Sequence, residues 1–139
     1  MQEKKIYLEN EENLLAISFG LAKLSEDDKF YQVALALSQE GLLFYNDNMP
    51  DEANESGLLY RMKIRIPFTS LLIVFNEKIK KNKELKKYLR LKIVTTIENK
   101  IHYFYYLKKD KSSIKQLLKL LKKRRVKVKK RKVDLSPNI

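Results

Sequence analysis

Mainly β with one closing helix is the fold class the sequence predicts: about seven short strands, then a single amphipathic helix. Three features of the chain predict it. Apolar residues recur at every second position through several segments before residue 107, as one buried face of a pleated strand requires. The spacing changes to three and four only at Ile114, Leu117, Leu118 and Leu121, which gives a helix one apolar face. Strands first and a helix last exclude alternating βαβ units. The sheet or barrel is therefore antiparallel, and the helix lies over its open end or face.

The elements follow in chain order. Leu15, Ile17, Phe19 and Leu21 alternate with Ala16, Ser18, Gly20 and Ala22. An acidic loop, Ser25-Glu26-Asp27-Asp28-Lys29, leads to Phe30–Leu37, whose Tyr31, Val33, Leu35 and Leu37 repeat the alternation. Ser38-Gln39-Glu40-Gly41 turns the chain into Leu42-Leu43-Phe44-Tyr45, a hairpin partner. Asn46–Gly57 is a polar loop containing Pro50. Leu58–Ile66 then alternates strictly, with Tyr60, Met62, Ile64 and Ile66 on one face and Arg61, Lys63 and Arg65 on the other. Pro67 interrupts, so Phe68–Phe75 is a new or bent strand, and Asn76–Lys87 reads as a lysine-dense connection. Tyr88–Thr96 and Lys100–Leu107 form the last hairpin around Glu98-Asn99. The helix covers 111–125, with Asp110 or Ser112 placed to cap its start and Arg124-Arg125 at the end its dipole offers to cations. Each fully buried leucine of its stripe contributes roughly 1.5–3 kcal/mol before entropy costs.

At 139 residues the chain fits one domain, 1–125, followed at 126–139 by a basic tail or an extra edge strand built on Val126, Val128 and Val133. An apolar fraction of 44% is that of a globular protein. The chain has no cysteine, which excludes disulfides and thiolate metal sites and fits a reducing compartment. Its polar start carries no signal core, and no uncharged run approaches the about 20 residues of a membrane-spanning helix. The expectation is a cytoplasmic protein, peripheral to a membrane if it meets one. The net charge of +13 is unevenly laid out: residues 1–60 sum to −8 and residues 61–139 to +21. Such a split points to an acidic partner or to attraction between the halves, against the plainer reading of lysine spent on a solvated surface.

Three segments carry a family likeness. Glu12-Asn13-Leu14-Leu15-Ala16-Ile17 and Val33-Ala34-Leu35-Ala36-Leu37-Ser38-Gln39-Glu40-Gly41-Leu42-Leu43-Phe44-Tyr45 resemble the opening strand and hairpin of bacterial pleckstrin-homology-like and GRAM-like domains. Ile66-Pro67-Phe68-Thr69-Ser70-Leu71-Leu72-Ile73-Val74 is similar to their Ile-Pro-aromatic segment, and the likeness runs over about residues 11–124. It implies a pleckstrin-homology-like (PH-like) fold: a seven-stranded, partly open antiparallel barrel or sandwich closed at one end by the helix. Three departures stand out. Gly41 replaces the customary basic or polar residue of the hairpin, and the helix carries no tryptophan. The first hairpin loop, basic in phosphoinositide binders of the family, is here Glu26-Asp27-Asp28, which repels an inositol phosphate.

Candidate chemistry is correspondingly sparse. The single histidine, His102, stands among aromatic residues with no nucleophile or ligand beside it, and its plainest role is structural. The acids do not form a converging pair, and Gly20, Gly41 and Gly57 are too scattered for a phosphate loop. No enzyme, metal or cofactor is expected. Three basic groups remain. Arg61, Lys63 and Arg65 share one side of a strand, and Lys78, Lys80, Lys81, Lys83, Lys86 and Lys87 crowd a loop. Lys122, Lys123, Arg124, Arg125, Lys127, Lys129, Lys130, Arg131 and Lys132 run from the helix end into the tail. The first and third groups are the candidate site for an acidic partner, either an anionic membrane surface or an acidic protein segment. Nucleic acid is the alternative partner, although Tyr103–Tyr106 alternates faces and is better suited to core than to a base-stacking platform. A second copy of the chain is also open as a partner.

Overall fold

A computed structural model describes residues 5–8, 14–24, 30–46 and 57–135. They form nine strands and one α-helix. The strands are β1 (Lys5–Leu8), β2 (Ala16–Leu24), β3 (Tyr31–Leu37), β4 (Gly41–Asn46), β5 (Gly57–Pro67), β6 (Leu71–Lys80), β7 (Tyr88–Thr95), β8 (Ile101–Leu107) and β9 (Lys127–Asp134). The helix α1 spans Lys111–Lys123. The order across the sheet is β1-β5-β4-β3-β2-β8-β7-β6-β9. From β5 to β6 every neighbouring pair is antiparallel. No ladder joins β5 to β6 among the described residues, so the sheet stays open at that seam.

Period-two patterning decides the faces. Ala22, Val33, Leu35, Leu37, Leu42, Phe44, Ile66, Val74, Leu91, Ile93, Phe104 and Tyr106 point inward and are buried in one cluster. The helix closes this cluster with Ile114, Leu117, Leu118 and Leu121, all buried. It packs on β2 and β9, and Ser113 and Ser18 are hydrogen-bonded through their hydroxyls at 3.2 Å. That contact places the helix at the Ser18 end of β2. A smaller cluster lies on the other face of β3 and β4, where Ala34, Ala36, Leu43 and Tyr45 pack with Leu8 of β1 and with Leu14.

Gly20 is paired with Val33 of β3 and comes just before the β2–β8 ladder, which begins at Leu21. A Cβ there would collide with the Tyr105 carbonyl oxygen and the Phe104 ring. At Gly41 the obstruction is the backbone of Ile66 and Pro67 on β5. The hairpin position where the family pattern puts a larger residue is thus too tight here for any side chain.

Four expectations need correction. The strands number nine, not seven, because β1 adds to β5 and β9 adds to β6, both in parallel. Asn76–Lys80 is strand and not connection, because β7 and β9 hydrogen-bond it from both sides. The helix stops at Lys123. Arg125 takes a left-handed φ of 65°, its N–H bonds the Lys122 carbonyl at 2.9 Å, and the Val126 N–H reaches back to Leu121 at 3.1 Å. This is a Schellman cap, with buried Val126 as its hydrophobic contact. At the other end Asp110 holds the N-cap position without a side-chain capping bond, and Ser113 Oγ donates to the Asp110 carbonyl at 2.9 Å.

Candidate functional site

Arg61, Lys63 and Arg65 do not form the single row that strict alternation predicts. The β4–β5 ladder pairs Phe44 with Ile64 but Tyr45 with Met62, so Lys63 is the extra residue of a bulge. Arg65 then lies beside Leu43 on the outer face, while Arg61 lies beside Asn46 on the inward-facing side. All three are exposed. Arg65 approaches Glu40 at 3.7 Å, the one ion pair between the acidic and basic halves among the described residues. Most acids of the first half lie outside the described residues, including the Glu26-Asp27-Asp28 loop.

The C-terminal cations are gathered differently. Lys122, Lys123, Arg124 and Arg125 are exposed at the helix end and its cap, and Lys127, Lys129, Lys130 and Lys132 are exposed along β9. Register sets Lys132 beside Lys78 of β6, two like charges side by side. None of these eight lies within ion-pair distance of a carboxylate among the described residues. Arg124 rests over the Phe68 ring, 5.4 Å from its centre. β5 is second from one end of the strand order and β9 forms the other end, so no ladder joins the two basic groups.

Arg131, expected among the partner-binding cations, has another occupation. Its Nε donates to Glu77 at 2.6 Å, and its guanidinium lies 3.9 Å from the centre of the Phe75 ring. Glu77 is fully buried and also accepts from Arg90 Nε at 2.7 Å. Arg90 in turn donates to Tyr105 Oη at 3.3 Å and stacks 4.5 Å from the Tyr103 ring. Burial opposes the Arg90 charge, but its hydrogen bonds to Tyr105 and Glu77 outweigh that and raise its pKa. Glu77 therefore staples β7, β6 and β9 together. The sequence signal was faint: one glutamate inside a lysine-rich segment.

The end of the sheet away from the helix, where β2 passes Ala22 and β3 begins at Tyr31, holds a cavity of about 330 Å³. Its walls include Val33, Phe44 and Ile64, and its polar lining includes Lys23, Asn46, Lys63 and His102. His102 is only 6% exposed, its ring lies 5.7 Å from that of Phe44, and its Nδ1 has no hydrogen-bond partner. Burial, and then the charge of Lys100, lowers its pKa, so the imidazole is neutral near pH 7. Sequence reasoning took His102 for a structural residue. Its register with Phe104 and Tyr106 marked it as inward-facing, but nothing local marked the space beside it.

Among the described residues no group of three or more histidines or acids is placed to hold a metal ion. No helix among them is long and apolar enough to cross a membrane.

No protein-family model and no curated protein matches the chain. The chain is similar to a solved structure of Vav1 inhibited by an allosteric inhibitor, one of a set described as blocking GEF activity. The identity is 10% and the TM-score 0.54, over 84% of this chain and 20% of that one. The chain thus spans about a fifth of the protein it resembles, and at such identity the likeness concerns the fold alone. Vav1 contains a pleckstrin-homology domain. That bears on the PH-like architecture and not on the bacterial or GRAM-like subgroup.

Proposed function

We propose that the chain is a non-enzymatic, PH-like interaction module that engages an acidic partner through its basic half. The partner is an anionic membrane surface or an acidic protein segment, and the contact is the ridge formed by the end of α1, its cap and β9. One observation carries this reading: eight exposed cations lie in one continuous helix–turn–strand unit, none within ion-pair distance of a carboxylate among the described residues. Packed like charges repel, and a polyanion brought against them relieves that repulsion. Arg125 adds support, because a left-handed φ favours glycine and an arginine there costs about 1 kcal/mol. Lysines also protect an exposed edge strand from pairing with other chains, which explains part of β9 but not the helix end.

Each cation near an anionic leaflet is worth about 1 kcal/mol, so four engaged at once give affinity of millimolar order. Avidity or a second contact, such as Arg61 and Lys63, is then needed for firm attachment. The test is co-sedimentation with vesicles of phosphatidylserine and phosphatidylcholine, compared with phosphatidylcholine alone. Retention only on the anionic vesicles, lost when Lys122, Lys123, Lys129 and Lys130 become Gln, supports the membrane form. Saturable capture of one acidic protein, lost in the same variant, supports the protein form. Equal behaviour of variant and parent removes the ridge from the site. Binding to duplex of any sequence with a steep log–log salt dependence replaces the reading with a nucleic-acid one.

A further inference from the structure

The cavity at the end of the sheet away from the helix has no part in the binding ridge. β2 and β3 run antiparallel with Ala16 beside Leu37 and Ala22 beside Tyr31. The helix sits near Ser18, whereas Ala22, Tyr31, Val33 and His102 line the cavity. The two features occupy opposite ends of the same sheet. We propose that this cavity is a binding site for a small organic carboxylate with an apolar body.

The volume selects the size. About 330 Å³ lies at the lower end of small-molecule sites and holds about eleven water-sized groups. The walls select an apolar body, since Val33, Phe44 and Ile64 offer it no hydrogen bonds. The polar groups select the head. Lys63 is the bulged residue of β5, is exposed, and has no ion-pair partner among the described residues. Lys23, on β2, lies over the Phe30 ring at 5.7 Å and adds a second positive charge. No acidic side chain is among the described lining residues, and Lys23 and Lys63 give that described lining a positive charge. His102 forms part of the wall, and its Nδ1 lacks a partner in the unliganded protein. That Nδ1 has no accessible surface, so His102 serves as a wall residue whose ring reports occupancy, and the head group is left to Lys63 and Lys23. The bulge links the site to the fold, because without the extra residue on β5 strict alternation would continue and Lys63 would fall in line with Arg65.

His102 is the only histidine in the chain, so its ring resonances form an unobstructed reporter. The experiment titrates the full chain with octanoate and with 3-phenylpropionate, and in parallel with octanol and 3-phenylpropanol, following the His102 ring protons by NMR. Saturable shifts with both carboxylates, and binding at least about tenfold weaker for the alcohols, are expected, as for loss of one charge-assisted contact. Lys63→Met brings carboxylate affinity down toward that of the alcohols, and Ile64→Phe, which fills the space, weakens all four. Gln at Lys122, Lys123, Lys129 and Lys130 leaves the shifts unchanged, which keeps this site distinct from the ridge. Absence of a saturable shift, equal affinity for acid and alcohol, or an unaffected Lys63→Met variant overturns the proposal.

Discussion

Glu77 is fully buried between Arg90 and Arg131, and single side chains of this kind govern how the outer strands hold together. Glu77→Gln leaves two guanidinium groups facing each other without a counter-charge, Arg90 buried and Arg131 partly so. The expected cost is about 3–5 kcal/mol, read as a lower urea midpoint. His102 supplies the pH dependence. Its folded pKa lies below the ordinary imidazole value of 6.5, because burial and then Lys100 disfavour its charge. As pH falls below 6.5 the unfolded chain takes up the proton first, so stability present above that point declines until the folded pKa is reached. His102→Phe keeps a ring against Phe44 and removes that group's share of the decline. Denaturation at pH 7.5 and pH 5 in both proteins checks it, and parallel loss in the two would contradict the assignment.

Among the elements, β9 is the one whose residues least resemble its structure. Lys127–Asp134 carries five Lys/Arg and two valines, and in isolation it would be solvated chain. It is a strand because it joins β6 in parallel over eight register pairs, with Val128 against the main core and Arg131 tied to Glu77. The cap before it is strained by its residue type. Arg125→Gly relieves a left-handed side-chain conformation and is expected to stabilise the protein by roughly 0.5–1 kcal/mol in thermal or urea melts. The same change removes one cation from the ridge, so its vesicle retention tests whether that charge is worth its strain. β5 offers the contrasting case. Its alternation was legible, yet the bulge at Lys63 was not, because a bulge answers to the partner strand.

At the scale of the whole molecule, the charge split and the sheet order together decide which cations can act in concert. The acidic first half and basic second half were plain in the sequence, but their arrangement was not. Residues 127–134 run along β6, within the basic half, and their lysines are exposed there. Screening follows from that exposure: attachment of the ridge to an anionic surface weakens as ionic strength rises past the point where the Debye length falls to about 8 Å.

By itself the sequence determined the alternation of β2, β3, β7 and β8, the leucine stripe of α1 and the count of charges, because periodicity and composition are properties of neighbouring residues. Tertiary structure alone decided the rest: the parallel pairing that makes β9 a strand, the carboxylate that claims Arg131, the bulge that turns Lys63 toward a cavity, and the space beside His102. Each of those depends on a partner that is distant in the chain, and a short window of residues carries no record of what will be packed against it.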